Sequence, residues 1–427
     1  MARRALILLE GSRGNGPLSV QAAQRLGLHP ITLAADPGCY DYLAAENIEA
    51  IRVDTGNLNA LIRECSRLRA TYDIAGITSV REAFYATVAK LCRHFDLPGP
   101  DPMSIERCCD KFTQRQLLAE AGVPVPAYRL AANVADVKNF AAEIGLPVIV
   151  KPAVGSASIG VRLCRNADEL AEHTTYLVGG DHIWRSSPRI LVEEFAQGPC
   201  YSADTMGNEV IAIGAADFHP PPQFVVRETT FPAPLTDDEH KRIADVSLSC
   251  LRALGLGWGP TNIELRWTQR GPVVIEINPR LPGGEPKLIE LAYGVDLVTE
   301  HIKLVIGEEW DLRRTHSQTA AARFLVPDRD GTLEWIGGGS RAAAVPGVAE
   351  VKLYAESKTP IVRKGDFRDC IGHVIAVSPS PSKTAEILQR AVDLIDWSVT
   401  PFPALGEQEQ SAATHLPEPD QVAPSKR

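Results

Sequence analysis

Positive charge is in deficit in this 427-residue chain: 44 Lys and Arg face 53 Asp and Glu, a formal net charge of −9, and no basic run stands out. Such a balance leaves no electrostatic footprint for nucleic acid or an anionic membrane surface. Long hydrophobic runs are missing as well, and nothing approaches the roughly 18–20 apolar residues that span a bilayer. Ala2-Arg3-Arg4 before Ala5 to Leu9 imitates a signal peptide, but Glu10 ends the apolar stretch after five residues. A first strand is expected there instead. The nine cysteines occur singly or as the adjacent pair Cys108-Cys109, never as Cys-x-x-Cys. That excludes the usual zinc and dithiol-redox frameworks, and a chain of this length needs no disulfide staples. A reduced, cytoplasmic protein is expected.

What remains is the make-up of a soluble globular protein, 44% hydrophobic and 23% charged, long enough for two or three domains at roughly 100–200 residues each. Residues 1–108 alternate strand and helix, with strands at Ala5–Leu9, His29–Ala34 and Ile74–Ile77. This predicts an α/β domain built on a doubly wound parallel sheet. The loop Gly11 to Gly16 invites a dinucleotide reading. Its glycines at 11, 14 and 16 fall in the wrong order for Gly-x-Gly-x-x-Gly, and no clear ribose-binding acid follows a second strand. A plain strand–helix turn is expected, with Pro17 in the first helical turn.

Residues 109–310 read as a second, α+β domain. A helix runs from Asp110 to Ala121 and stops at Gly122, and Asn133 caps another. The apolar strand Pro147–Lys151 follows, then a helix opening at Asn166-x-x-Glu169. Thr236-x-x-Glu239 is a capping box before the stripe Ile243, Val246, Cys250, Leu251 and Leu254. Residues 311–398 mix short strands with one late helix, Ser382 to Ile395, as a small C-terminal α+β subdomain. The stretch 399–427 is rich in Pro, Glu, Gln and Ser and poor in large apolar residues, so a disordered tail is expected.

The chemistry lies in the strands and loops. Thr261 to Arg280 reads as two strands around a turn at Gln269 to Gly271. Centring the hairpin on Arg270 places Glu264 opposite Glu276, with Asn278 on the same face. Two opposed carboxylates destabilise a sheet unless a shared cation removes the repulsion. With an amide oxygen they form a hard donor set suited to Mg²⁺. An exposed polar face with solvated acids is the alternative. Arg280 fits an anion site or a surface ion pair. Lys151 ends Val148-Ile149-Val150, and Gly155-Ser156-Ala157-Ser158-Ile159-Gly160 then offers free backbone N–H groups to phosphates. No Gly-Lys-Ser/Thr makes it a Walker loop. Lys111 in isolation reads as a surface lysine. Ile190-Leu191-Val192 leads into Glu193-Glu194-Phe195-Ala196, a strand that either presents polar groups to an adenine edge or runs out into solvent.

Taken in order, these pieces resemble the ATP-grasp superfamily. The resemblance is carried by Lys111, Val150-Lys151-Pro152 with its glycine loop, Val192-Glu193-Glu194-Phe195, Glu264, and Glu276-Ile277-Asn278-Pro279-Arg280, and it spans roughly residues 1–397. Gly283-Gly284, Pro220 to Val225 and Phe231 to Pro234 are similar to carboxylate–amine ligases of the L-amino-acid ligase (dipeptide synthetase) type. The architecture this implies is an N-terminal parallel-sheet domain, a central two-lobed ATP-grasp domain and a C-terminal region. It further implies ATP and Mg²⁺ (or Mn²⁺) as cofactors. Lys111 and Lys151 would contact phosphates, and the loop containing Ser156 and Ser158 would close over them. Glu193, Glu194, Phe195 and Ala196 would meet adenine, and Glu264, Glu276 and Asn278 would hold the metal. Arg280 would steady an acyl phosphate and its tetrahedral successor. Where many relatives carry a ribose-binding carboxylate stands Cys200, which leaves that task to Asp204 or another group. His219, Arg227, Glu228, Gly283 and Gly284 are candidates for the substrate pocket, with Arg81-Glu82 from the N-terminal domain.

The reaction so implied is ATP-dependent amide or peptide bond formation between a small-molecule carboxylate and an amine, with an amino acid as substrate. A homodimer is implied by resemblance alone. A carboxyphosphate-forming enzyme of the same fold, like biotin carboxylase or a purine-pathway enzyme, is the second reading, and a non-catalytic nucleotide-binding protein the third. A thiol enzyme using Cys200 or Cys109 finds no His or Asn neighbour to support it.

Overall fold

The computed structural model describes residues 2–179 and 189–403. They fall into two compact units: residues 2–102 with Leu297–Asp311 and 400–403, and Met103–Asp296 with Leu312–Val399. Among the described residues no helix is long and apolar enough to cross a membrane. All nine cysteines are free thiols.

In the first unit β1 (Arg3–Leu9), β2 (His29–Ala34), β3 (Glu49–Arg52) and β4 (Tyr72–Ser79) form a parallel sheet in the order β3-β2-β1-β4. Ile7, Leu9, Ile31, Leu33 and Ile77 pack with Leu61, Cys65 and Leu68 of the helix Leu58–Leu68. Strands covered on both faces are apolar throughout, as β1 is from Ala5 to Leu9. The loop after β1 is the expected plain turn. A Cβ added at Gly11 or Gly16 would fall 2.6 or 2.5 Å from the Tyr42 hydroxyl, so the glycines make room for a tyrosine. Glu10 beside them is buried at φ +60° and accepts from Tyr40 Oη (2.7 Å), Thr55 Oγ1 (2.7 Å) and Ala35 N–H (2.9 Å).

The second unit contains three sheets. β5 (Tyr128–Ala131), β6 (Val148–Pro152), β7 (Arg162–Cys164) and β8 (Ile190–Glu194) pair antiparallel in the order β5-β8-β6-β7. The helices Val134–Ile144 and Ala167–Gly179 bury Val137, Ala141, Leu170 and Leu177 in one core with Val148, Val150 and Val192. Asn133 and Asn166 cap them, accepting from the N–H groups of Asp136 (3.0 Å) and Glu169 (2.9 Å).

The large antiparallel sheet holds β9 (Cys200–Met206), β10 (Glu209–Phe218), β11 (Val226–Phe231), β12 (Pro260–Thr268), β13 (Gly271–Asn278), β14 (Thr319–Leu325), β16 (Val348–Leu353) and β18 (Gly372–Ser378). Its order is β13-β12-β9-β10-β11-β14-β18-β16. β15 (Gly331–Gly337), β17 (Thr359–Ile361) and β19 (Asp396–Thr400) form a small third sheet. The large sheet runs straight through the boundary expected at residue 311. The late helix spans Pro381–Val392 from a Ser380 cap, and Ile395, expected inside it, packs into the core beyond its end. Val399 and Thr400, the start of the expected tail, belong to β19, and residues 404–427 lie outside the described residues.

Candidate active site

Register across β9, β12 and β13 builds the site. Asp204, Asn262 and Asn278 lie side by side in one row, and Ser202, Glu264 and Glu276 in the next. Paired residues project to the same face, so three adjacent strands present a polar patch on an apolar sheet. The expected opposition of Glu264 and Glu276 is present, by a route the sequence reading did not foresee. The hairpin closes with Thr268 opposite Gly271, one step off the expected centre. A bulge at Ile275, between the Leu265–Val274 and Glu264–Glu276 pairs, then shifts the register back.

The charges on this patch are unequal. Burial, and then the neighbouring Glu276, push the Glu264 carboxyl up to about 7. Burial also opposes the Glu276 charge, but Lys111 and Lys151 outweigh it and hold that carboxyl below its ordinary range. Lys111 Nζ lies 2.8 Å from Glu276 Oε1 and also donates to Gly155 O. Asn278 Nδ2 is 3.5 Å from Glu264 Oε1. Two carboxylates and an amide are an all-oxygen set of the kind Mg²⁺ takes, and a dication there would relieve the repulsion that raises Glu264. Among the described residues no group of three or more His, Cys, Asp and Glu side chains could hold a metal alone.

Both lysines are buried, Lys111 at 5% and Lys151 at 3% exposure. Lys111 opens the helix Lys111–Glu120, whose Asp110 cap accepts from Thr113 N–H at 2.8 Å. Lys151 Nζ meets Glu193 Oε2 at 2.5 Å, and Arg115 Nε meets Glu193 Oε1 at 2.6 Å. Burial drives the Lys151 ammonium down from its usual range. It also opposes the Glu193 charge, but Arg115 and Lys151 together keep that carboxyl ionised below its ordinary range. Glu193, expected against adenine, is thus the centre of a Lys151–Glu193–Arg115 triad.

The following residues are engaged too. The Glu194 carboxylate binds Arg270 at 2.7 Å and accepts from Ala127 N–H at 3.1 Å, while its own N–H donates to Ala127 O. Phe195 joins Phe218 and Phe224 around the Arg266 guanidinium at 5.7 to 5.9 Å, and Ala196 is buried. In the loop after β6, Ala157 and Ser158 both have positive φ (+58° and +62°), and Gly155 sits at +152°.

Most of the remaining candidates have partners of their own. Cys200 pairs in register with Arg266, and burial pushes its thiol up to about 12, which gives no nucleophile. Asp204, offered for ribose, is fully buried in the Asn278 row, roughly 13 Å along β9 from Cys200 at about 3.3 Å per residue. Asn262 Nδ2 donates to both Asp204 (2.9 Å) and Glu285 (3.2 Å), and burial raises both carboxyls. Arg227, a candidate for the substrate pocket, pairs with Asp217. Glu228, a second such candidate, pairs with Arg323 at 2.5 Å. His219 donates its N–H to Val225 O at 2.8 Å, and burial lowers its imidazole pKa. Arg280 lies just past β13, its N–H on Asn278 O at 2.8 Å. Gly283 and Gly284 face open space, leading into Glu285 at the start of the helix Glu285–Tyr293.

Sequence reasoning missed Arg115, Gln114, Asn262 and Glu285. Gln114 and Arg115 look like the outer face of a short helix. The usable signal was the spacing 111, 114, 115, which puts three polar side chains on one helical face.

Three family models match in succession: ATP-grasp N-terminal domain over residues 20–99, Carbamoyl-phosphate synthase L chain, ATP binding domain, over 110–313, and L-amino acid ligase C-terminal domain 2 over 323–400. The chain belongs to the ATP-grasp superfamily, with the two-lobed architecture expected of it. Within it, the chain shares a family with the uncharacterized protein y4rH of Sinorhizobium fredii (strain NBRC 101917 / NGR234), at 62% identity over 97% of this chain and 87% of that protein. Human carnosine synthase 1 is 28% identical over 90% of this chain, which spans 50% of that longer protein. Among solved structures, the L-amino acid ligase from Bacillus licheniformis superposes with a TM-score of 0.79 at 19% identity, covering 94% of this chain and all of that one. That likeness is one of fold.

Proposed function

We propose that this protein is an ATP-dependent carboxylate–amine ligase that joins an amino-acid carboxylate to an amine through an acyl phosphate, releasing ADP and phosphate. The observation that carries the reading is the opposed Glu264 and Glu276 with Asn278 beside them and Lys111 bonded to Glu276. A carboxylate attacking the γ-phosphate of ATP brings anion to anion, and the site must neutralise both. Lys111 and Lys151 are the cations for that task. Glu264, Glu276 and Asn278 would hold Mg²⁺, which when bound supplies further neutralisation of phosphate charge. Because Glu193 is held by Arg115 and Lys151, its role is to fix the Lys151 ammonium. Arg280 follows the metal residues directly and would stabilise the oxygen that becomes negative when the amine attacks. The loop Gly155–Gly160 would cover the phosphates and keep water from the activated carboxyl.

The test is phosphate release from ATP with Mg²⁺, across the twenty L-amino acids singly and in pairs, with mass spectrometry of the products. Turnover that requires one pair, with a product mass equal to the two less water, supports the ligase and names its substrates. Turnover dependent on bicarbonate and on no amino acid would replace it with the carboxyphosphate-forming reading.

A further inference from the structure

β13 is the outermost strand of the large sheet, so one of its edges has N–H and C=O groups with no strand to bond. Pro124 O accepts from Val274 N–H at 2.9 Å, Cys108 Sγ donates to Ile277 O at 3.2 Å, and the helix Lys111–Glu120 supplies further partners. Gln114, 2% exposed, donates from Nε2 to Ile277 O at 2.8 Å and accepts from Ile277 N–H at 3.1 Å. That is the pair of bonds a residue of a neighbouring strand would make. The carboxamide also donates to Cys108 O, so this buried polar group is satisfied. Arg115 donates to Ile275 O on the same edge. Ile277 lies between Glu276 and Asn278, and its own side chain is fully buried on the opposite face. The peptide that Gln114 grips therefore carries two of the three proposed metal ligands. The bulge at Ile275 separates this segment from the turn, so the hairpin loop alone does not set its orientation.

We propose that Gln114 is a positioning residue: its carboxamide fixes the Ile277 peptide so that Glu276 and Asn278 meet a divalent cation together with Glu264. The inference rests on the metal site of the ligase reading, and not on the identity of the substrates. A side chain present only to fill space would be replaced by an apolar one of equal length, whereas this amide is bonded at both ends to one residue.

The experiment measures Mn²⁺ binding to the full chain in the presence of ADP, by electron paramagnetic resonance of the free ion. ADP binding without metal is measured by calorimetry. Gln114→Met keeps the length and removes both bonds. The expected result is a tenfold or greater rise in the Mn²⁺ dissociation constant, with metal-free ADP affinity within twofold of the parent. Equal Mn²⁺ affinity overturns the proposal, and so does a parallel loss of metal-free ADP affinity, which would mark a general packing role. If Gln114→Met does not fold, Gln114→Asn decides, since it keeps the amide one methylene short of the strand. A threefold or greater loss of Mn²⁺ affinity supports the proposal, and a smaller one overturns it. A parent chain that binds ADP but no Mn²⁺ would remove the metal site and this proposal together. Normal Mn²⁺ binding without any amino-acid-dependent turnover would count against the ligase reading alone.

Discussion

The loop after β1 and the loop after β6 carry similar glycine- and serine-bearing sequences, Gly11-Ser12-Arg13-Gly14-Asn15-Gly16 and Gly155-Ser156-Ala157-Ser158-Ile159-Gly160, but their surroundings differ. At Gly11 the place of the missing Cβ is taken by the Tyr42 hydroxyl and the Tyr40 ring, and at Gly16 by the hydroxyl and ring of Tyr42. At Gly155 the nearest atom to an added Cβ is 4.0 Å away. The buried groups beside each loop differ in the same sense. Glu10 in the first unit has three internal donors. In the second unit Glu264 is raised by burial and by a facing carboxylate, a repulsion that a cation at the proposed metal site would relieve. A glycine loop is read less by its glycine count than by what occupies the space they leave. The first loop is filled at Gly11 and Gly16 and open at Gly14, whereas the second is open at Gly155 and closed at Gly160, where an added Cβ would meet Leu177 at 3.0 Å and Pro152 at 3.1 Å.

The sharpest way to break this contrast is Glu276→Gln. Glutamine keeps the shape of the side chain, while loss of its charge removes the attraction for Lys111 and for a dication. Relief of the repulsion on Glu264 offsets part of the lost ion pair. ATP turnover should fall at least about a hundredfold, in the range seen when a transition-state electrostatic contact is removed, with the melting temperature close to that of the parent. Unfolding of the variant with unchanged specific activity of the folded fraction would show that the metal assignment is wrong.

The first unit makes its own prediction from a buried histidine. His301, on the helix Leu297–Val305, is buried with Thr78 Oγ1 at 3.0 Å and Tyr85 Oη at 3.3 Å, and burial lowers its pKa to about 4. An unfolded histidine takes up its proton near pH 6.5, so between those values the unfolded chain binds more protons. Stability is fully present above about pH 6.5 and declines toward pH 4, by about 3 kcal/mol for the whole shift. Denaturant midpoints measured across this range should fall in the parent and fall less in His301→Gln.

Much of this architecture was legible because its signals are local. Alternation along the second strand placed Glu276 and Asn278 on one face, but whether Glu264 shares it depends on register, and the bulge at Ile275 restored the register that the misplaced turn would have lost. The caps at Asn133, Asn166 and Thr236 were readable for the same reason. What could not be read depends on distant pairing. β14, β16 and β18 join the sheet that carries the site, although some forty to a hundred residues separate them from β13. Lys111, Gln114 and Arg115 are buried only because their helix lies along the open edge of that sheet. Arg227 and Glu228 are occupied because β10 and β14 bring Asp217 and Arg323 alongside.

A smaller effect sharpens the contrast at the filled loop. Gly16→Ala sets a methyl 2.5 Å from the Tyr42 hydroxyl and 2.7 Å from Cζ, so the ring must move. Overpacking of this kind costs about 1–3 kcal/mol. The cost should appear in the melting temperature with no change in KM for ATP, because the residues proposed to bind ATP all belong to the second unit.

The open loop should respond in the opposite currency. Gly155 sits at φ +152°, a conformation that alanine resists, and its carbonyl accepts from Lys111 Nζ. Alanine there has space, so packing is not disturbed; the backbone must instead leave the conformation in which Lys111 joins the loop to Glu276. Gly155→Ala should therefore raise KM for ATP about threefold to tenfold, corresponding to roughly 0.6–1.4 kcal/mol of lost binding, while the melting temperature moves by about a degree or two. Steady-state kinetics and a thermal melt on the same preparation decide it. If Gly155→Ala lowers stability and spares KM, as expected of Gly16→Ala, the two loops are alike after all, and phosphate binding must be sought in Lys111 and Lys151 without the help of the loop between them and solvent.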